Sequence, residues 1–251
     1  MIDALTLILG AVFGSFANVL IHRLPLDMNI AYPHSHCPAC RHSIPWYQNI
    51  PIFSFIFLKG RCYFCSHKIP ISYPMVEIIS ALGFVWAIDT HGLNALGILG
   101  CLFWFLLLCM SVIDCKHYLL PDELTLGGLW LALLISTQDS LRMVPAESAI
   151  LGAVLGYFSV WSVYWIYKLL TQKEGMGYGD FKLLAFLGAF LGPQQLPGLI
   201  LLSSSLGSIY GLSVIFILRQ KTFHQPIPFG PFLALAGWLL FLYPKLLSPY
   251  L

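Results

Sequence analysis

Long apolar stretches alternate with short polar joints along almost the whole chain, and only one hydrophilic interval is broad. Apolar runs cover Ile2 to Ile21 and then, approximately, residues 75–92, 95–113, 124–138, 147–167, 181–195, 197–218 and 229–247. Each approaches or exceeds the roughly 20 residues an α-helix needs to cross hydrocarbon. The pattern predicts an all-α polytopic membrane protein with about eight transmembrane helices. The run 181–195 is short and closes on Gly192-Pro193, so a tilted or half-buried helix is expected there. Residues 22–74, rich in Pro, His and Cys, form a loop between the first and second helices. The layout is then a first transmembrane helix over 1–21, a loop domain over 22–74 and a helical membrane core over 75–251. No internal repeat and no low-complexity tract stands out.

The first run carries Asp3 and no basic residue ahead of it. A cleaved secretory signal wants a basic start, so this run reads as a retained helix, ended by His22, Arg23 and Pro25. Composition supports the same class. With 58% hydrophobic and 10% charged residues and a mean hydropathy of +0.80, a soluble domain is excluded. A net charge of +2 also excludes nucleic acid as a partner for the chain as a whole, leaving membrane lipid as its surroundings. The distribution of charge says more than its sum. Eleven of the thirteen basic residues fall in alternate connections: Arg23, Arg41, Lys59, Arg61 and Lys68; Lys116; Lys168, Lys173 and Lys182; Arg219 and Lys221. Only Arg142 and Lys245 fall in the others, so the positive-inside rule puts the first, third, fifth and seventh connections in the cytoplasm and both termini outside.

Two groups of residues carry candidate chemistry. In the cytoplasmic loop, Cys37-Pro38-Ala39-Cys40 is followed after 21 residues by Cys62-Tyr63-Phe64-Cys65. Each C-x-x-C knuckle can place two thiolates on one ion, and two knuckles complete the four-sulfur tetrahedral shell that zinc prefers. Two disulfides are the competing reading, but the reducing cytoplasm disfavours them. Four sulfurs leave no open position, so the zinc would be structural. Cys101, Cys109 and Cys115 read as small core residues.

The second group is a pair of acids. Asp114 ends the run 95–113, and Asp180 follows Gly175-Met176-Gly177-Tyr178-Gly179 at the head of the run 181–195. Under the orientation above both lie at the cytoplasmic face, where two close carboxylates can share a proton, one serving water as a base and the other the scissile carbonyl as an acid. Glycines 177 and 179 would let a peptide backbone come close. A helix N-cap is the plainer reading of Asp180, and spacing does not decide between them. For Asp122, after Pro121, the cap is the preferred reading. Asp114 stands at a helix C-terminus, where its charge opposes the macrodipole and no capping role offers itself. Among other polar residues, Asn18 is expected to join helices by a hydrogen bond and Glu77 to reach the interface. Gly60-Arg61 offers a close-approach glycine beside a carboxylate-binding fork, against a solvated or headgroup-facing arginine.

These motifs together resemble the bifunctional type IV prepilin peptidases. The resemblance runs through Gly14-Ser15-Phe16-x-Asn18-Val19 with Arg23-x-Pro25, the knuckles around Asn49-Ile50-Pro51 and Gly60-Arg61-Cys62, Tyr73-Pro74-x-Val76-Glu77, Asp114 with Leu120-Pro121-Asp122, and Gly177-x-Gly179-Asp180-x-Lys182-Leu183. The Gly-x-Gly-Asp element is also similar to the wider intramembrane aspartyl proteases, including archaeal preflagellin peptidases and presenilin, which lack the knuckle loop. The resemblance implies a multi-pass protein of the bacterial inner membrane. In it, Asp114 and Asp180 would cut a short basic leader from prepilins or secretion-system pseudopilins, and the new N-terminal residue would be methylated from S-adenosylmethionine. Gly60 and Arg61 become candidates for the methyl-donor site. One departure is visible: where the family usually has Ile-Ser-x-Arg-Tyr-Pro, this chain has Ile69-Pro70-Ile71-Ser72-Tyr73-Pro74 and lacks the arginine. Rival readings are an ion-coupled transporter, for which the four-cysteine loop would have no role, and a methyltransferase without peptidase activity.

Overall fold

The structure is a computed structural model that describes residues 2–138, 141, 143–173, 175–218 and 227–246. Arg142, Arg219 and Lys221, which enter the charge count, lie outside the described residues. Every regular element among the described residues is helical: α1 Ile2–Arg23, α2 Phe53–Phe57, α3 Ser72–His91, α4 Ala95–His117, α5 Asp122–Ser136, α6 Ala146–Thr171, α7 Tyr178–Leu191, α8 Leu196–Leu218 and α9 Gly230–Leu242, with short 3-10 turns at Leu24–Leu26, Trp46–Gln48 and Pro193–Gln195. Among the described residues, four segments are long and apolar enough to cross a membrane: Asp3–Leu26, Ala95–His117, Ala146–Thr171 and Pro193–Ile217. Helices α5, α7 and α9 are shorter. At about 1.5 Å per residue they reach only about 20–23 Å, below the hydrocarbon thickness of about 30 Å.

The chain divides into two compact units, Met1–Cys109 and Met110–Leu251. In the first, α1 packs along α3. Gly14 permits the approach, since a methyl group there would stand 2.6 Å from the Glu77 Cα. Asn18 on α1 donates its Nδ2 hydrogen to the Tyr73 carbonyl at 3.1 Å, the interhelical bond expected of it. Phe13 and Phe16 meet Phe105 of α4.

The second unit is built around α7. Its residues from Asp180 to Leu191 are buried, apart from the half-buried Lys182, and α5, α6 and α9 pack against it. The crossing with α6 is tight because Gly152 and Gly188 face each other, each occupying space that a side chain on the other would need. Helix α7 opens at Gly177, in extended backbone, and closes at Gly192, whose φ of 87° is left-handed. A protein jacket on all sides explains how so short a helix can be apolar at nearly every position.

Candidate functional site

Asp114 and Asp180 are both buried and both belong to the second unit. Asp114 lies in the last turn of α4, and its Oδ2 accepts a hydrogen bond of 2.9 Å from the Gly230 N–H. Gly230 is the first residue of α9, so this N–H is one of the donors that a helix N-terminus leaves without an internal partner. The capping role that sequence denied to Asp114 therefore exists, contributed across the fold. Its charge opposes the dipole of its own helix but faces the positive end of α9. Asp180 is the third residue of α7, with Gly177 as the N-cap, so the N-cap reading of Asp180 is replaced by a first-turn carboxylate at the positive end. Asp114, against the N-terminus of α9, and Asp180, in the first turn of α7, are thus two buried acids of one unit, and two such carboxyls can share a proton where they come close.

Neighbouring residues fix this geometry. Gly179 packs on Leu120, where a methyl group would stand 2.7 Å from the Leu120 Cβ, so this glycine seats α7 against the turn before α5. Asp122 is the first residue of α5 after the N-cap Pro121 and makes no side-chain cap; this corrects the capping role assigned to it. It instead forms an ion pair of 2.6 Å with Lys182, two residues beyond Asp180. Gly230 was missed by sequence reasoning. The signal available was Pro228-Phe229-Gly230-Pro231, a glycine bracketed by prolines at the head of an apolar run.

In the first unit, the Sγ atoms of Cys37, Cys40, Cys62 and Cys65 all lie within 4.8 Å of one another, and those of Cys37 and Cys65 are 3.7 Å apart. Sulfurs on a tetrahedral zinc, with bonds of about 2.3 Å, sit about 3.8 Å apart, so the donor set fits that ion. The two knuckles share one local fold. In each, the first cysteine N–H donates to the histidine five residues on and its carbonyl accepts from the residue four on, giving Cys37 with His42 and Arg41, and Cys62 with His67 and Ser66. Arg41 and Ser66 both have φ of 58°, and the bridges His36 to Ser43 and Arg61 to Lys68 flank the turns. A local repeat is thus present where none was read; C-x-x-C-x-H occurring twice was its signal. The Cys40 backbone N–H, donating to the Cys37 sulfur, holds that thiol down to about 6. Cys65 goes the other way: although the His67 N–H favours its thiolate, desolvation and the neighbouring sulfurs push it up to about 12.

Cys109 is buried and Cys101 half-buried, as core residues should be, but Cys115 is exposed and leaves that class. Glu77 does not reach an interface. It is buried, and its Oε2 accepts the Ile52 N–H at 2.7 Å. Gly60 adopts φ of 66° with the Phe55 ring packed 3.0 Å from where its Cβ would be, while Arg61 is exposed.

Residues 8–90 match the bacterial peptidase A24 N-terminal domain, and residues 101–212 match the type IV leader peptidase family. Among curated proteins, the chain is similar to the prepilin leader peptidase/N-methyltransferase of Stutzerimonas stutzeri, at 43% identity over 269 residues covering 94% of this chain and 89% of that protein. It is similar to the protein of the same name from Aeromonas salmonicida (strain A449), at 43% over 267 residues, 96% of this chain and 90% of that one. The namesake from Pseudomonas aeruginosa stands at 43% over 270 residues, 95% and 89%. No solved structure matches the chain.

Proposed function

Because the chain belongs to the type IV leader peptidase family, we propose that it cleaves the leader from type IV prepilins or pseudopilins and N-methylates the residue so exposed. The observation that carries the peptidase half is the pairing of Asp114 with Asp180, the first held by the Gly230 amide and the second buried at the head of α7. One carboxylate takes a proton from water, the other lends one to the scissile carbonyl, and the roles reverse as the leaving amine is protonated. The Gly230 N–H restricts the orientation of Asp114 and occupies only one of its two oxygens.

The proposed setting is a bacterial inner membrane protein with about eight spans. Helices α3, α5, α7 and α9 would complete the set beside the four long ones, and short spans would be accommodated by tilt or local thinning. Residues 1–21 form the first span, 22–74 a cytoplasmic loop and 75–251 the catalytic core, with both aspartates at the cytoplasmic face. Cys37, Cys40, Cys62 and Cys65 would hold a structural zinc whose binding energy folds the loop. S-adenosylmethionine would supply the methyl group. Mass spectrometry of a co-expressed prepilin tests the whole reading: the mature N-terminus should appear shortened and heavier by one methyl group. A full-length, unmethylated product would reject it.

Two further outcomes are expected. Purified protein should carry about one zinc per chain, and Cys37→Ser should remove nearly all of it, as measured by metal analysis of reduced protein. Zinc retained at the wild-type level in that variant would refute the four-thiolate site. Acid should also release the metal, because each ligating thiolate must regain a proton as pH falls. Asp122→Asn breaks only the pair with Lys182, and an ion pair with an exposed partner is worth about 0–1 kcal/mol. Cleavage should drop no more than a few-fold, about fivefold at most for 1 kcal/mol. A loss as severe as in the dyad variants would mean that Asp122, not Asp114, is the partner of Asp180.

A further inference from the structure

The loop after α1, together with the facing parts of α1 and α3, lines a half-open cavity of about 310 Å³ in the first unit. That is within the range of small-molecule sites, at its lower end. Glu77 forms part of its wall and is 8% exposed. Its hydrogen bonds come from the Ile52 N–H and the Ser15 hydroxyl, both neutral, and among the described residues no cation pairs with it. Arg23 lines the same cavity, but its guanidinium is spent on the carbonyls of Asn29, Ile30 and Pro33. Burial with neutral partners only makes the ionised form of this carboxyl costly, and a bound cation would offset that cost.

A second observation points to the same spot. Ile52, also on the cavity wall, has φ of 64° and ψ of −53°, a conformation that a β-branched residue avoids. Strain of this kind persists where the surroundings hold it and clusters at ligand sites. Here the Glu77 carboxylate holds it. Phe55 and Tyr73 add flat apolar faces, and Asn49 and Lys68 add a polar amide and a cation. Gly60 lies behind Phe55, so its lack of a side chain lets that ring occupy the wall.

Resting on the methyltransferase half of the proposed function, we infer that this cavity is the S-adenosylmethionine site and that Glu77 is the counter-charge of the donor's sulfonium. The donor combines a sulfonium, a carboxylate and a flat adenine. Glu77, Lys68 and the Phe55 ring match those three features in kind. The candidate residues Gly60 and Arg61 then act differently, Gly60 by seating Phe55 and Arg61 from outside the cavity wall.

Equilibrium binding to the detergent-purified full chain tests this, with S-adenosylmethionine compared against S-adenosylhomocysteine, whose sulfur is a neutral thioether. Glu77→Gln keeps the side chain's shape and an acceptor for the Ile52 N–H. It should raise the Kd for S-adenosylmethionine roughly ten- to a hundredfold, the worth of a buried charge-assisted contact. The Kd for S-adenosylhomocysteine should change by less than about threefold, since that sulfur brings no charge to pair. Ile44→Trp, which fills the cavity from its wall, should abolish binding of both. Zinc content in each variant reports that the loop is folded. If wild-type protein methylates prepilin and both zinc-loaded variants bind the donor normally, the inference is overturned while the proposed function stands. Equal weakening of both ligands by Glu77→Gln overturns the sulfonium assignment. A wild-type protein that neither binds the donor nor methylates defeats the methyltransferase reading along with it.

Discussion

Asp114→Asn and Asp180→Asn should each reduce leader cleavage by roughly 10²–10⁴-fold, the range of proton transfer by a positioned acid or base, in protein that is still inserted and zinc-loaded. The amide reproduces the shape of a carboxyl but cannot exchange the proton that turns water into a nucleophile. Asp114→Asn also preserves an oxygen to accept the Gly230 N–H, so loss of activity there would report chemistry and not a broken cap. The double variant should be barely worse than either single one, because groups that act as a unit fail together. Methyl transfer to a pre-cleaved pilin should persist in all three. The assay is the conversion rate of a purified prepilin, and substantial cleavage by either single variant would remove the dyad.

Gly230→Ala should cost cleavage about 10²-fold, the penalty for displacing a catalytic group by about 1 Å. The added methyl would stand 2.8 Å from Asp114 Oδ2, inside normal contact, so the carboxylate or the start of α9 must shift. Since the contact of Gly230 is with Asp114, the fall should appear in kcat with KM little changed. Gly127→Ala is the matched control. Nothing lies within 4 Å of that position on α5, and the substitution should leave activity intact. Equal effects of the two changes would mean that the Gly230 contact does not position Asp114.

The sequence made the helices legible because their signal is local. A run of apolar residues long enough to matter has few other fates, and α1, α4, α6 and α8 fall where the runs predict. The cysteines were legible for the same reason, since the spacing within each knuckle already implies a shared ion. What could not be read were contacts between residues far apart in the chain. Asp114 with Gly230, Asp122 with Lys182 and Glu77 with Ile52 join positions separated by dozens of residues, and no hydrophobic period marks them. Glu77 misled in an instructive way: an acid near a helix end is usually reaching for water, and only the strained loop lying over it shows what it reaches instead. The glycines misled similarly. Gly179 suggested room for substrate, and its space is taken by Leu120.

The amide that holds Asp114 belongs to α9, so the proposed dyad has an order of assembly in time during synthesis. A nascent chain that has emerged only as far as residue 226 already contains both acids, yet lacks the helix end that steadies the first and one wall of the jacket around α7. In such a chain Asp114 would lack its Gly230 donor, while Asp180 would already stand in the first turn of α7. The proposed dyad would then be complete only once the last described helix docks.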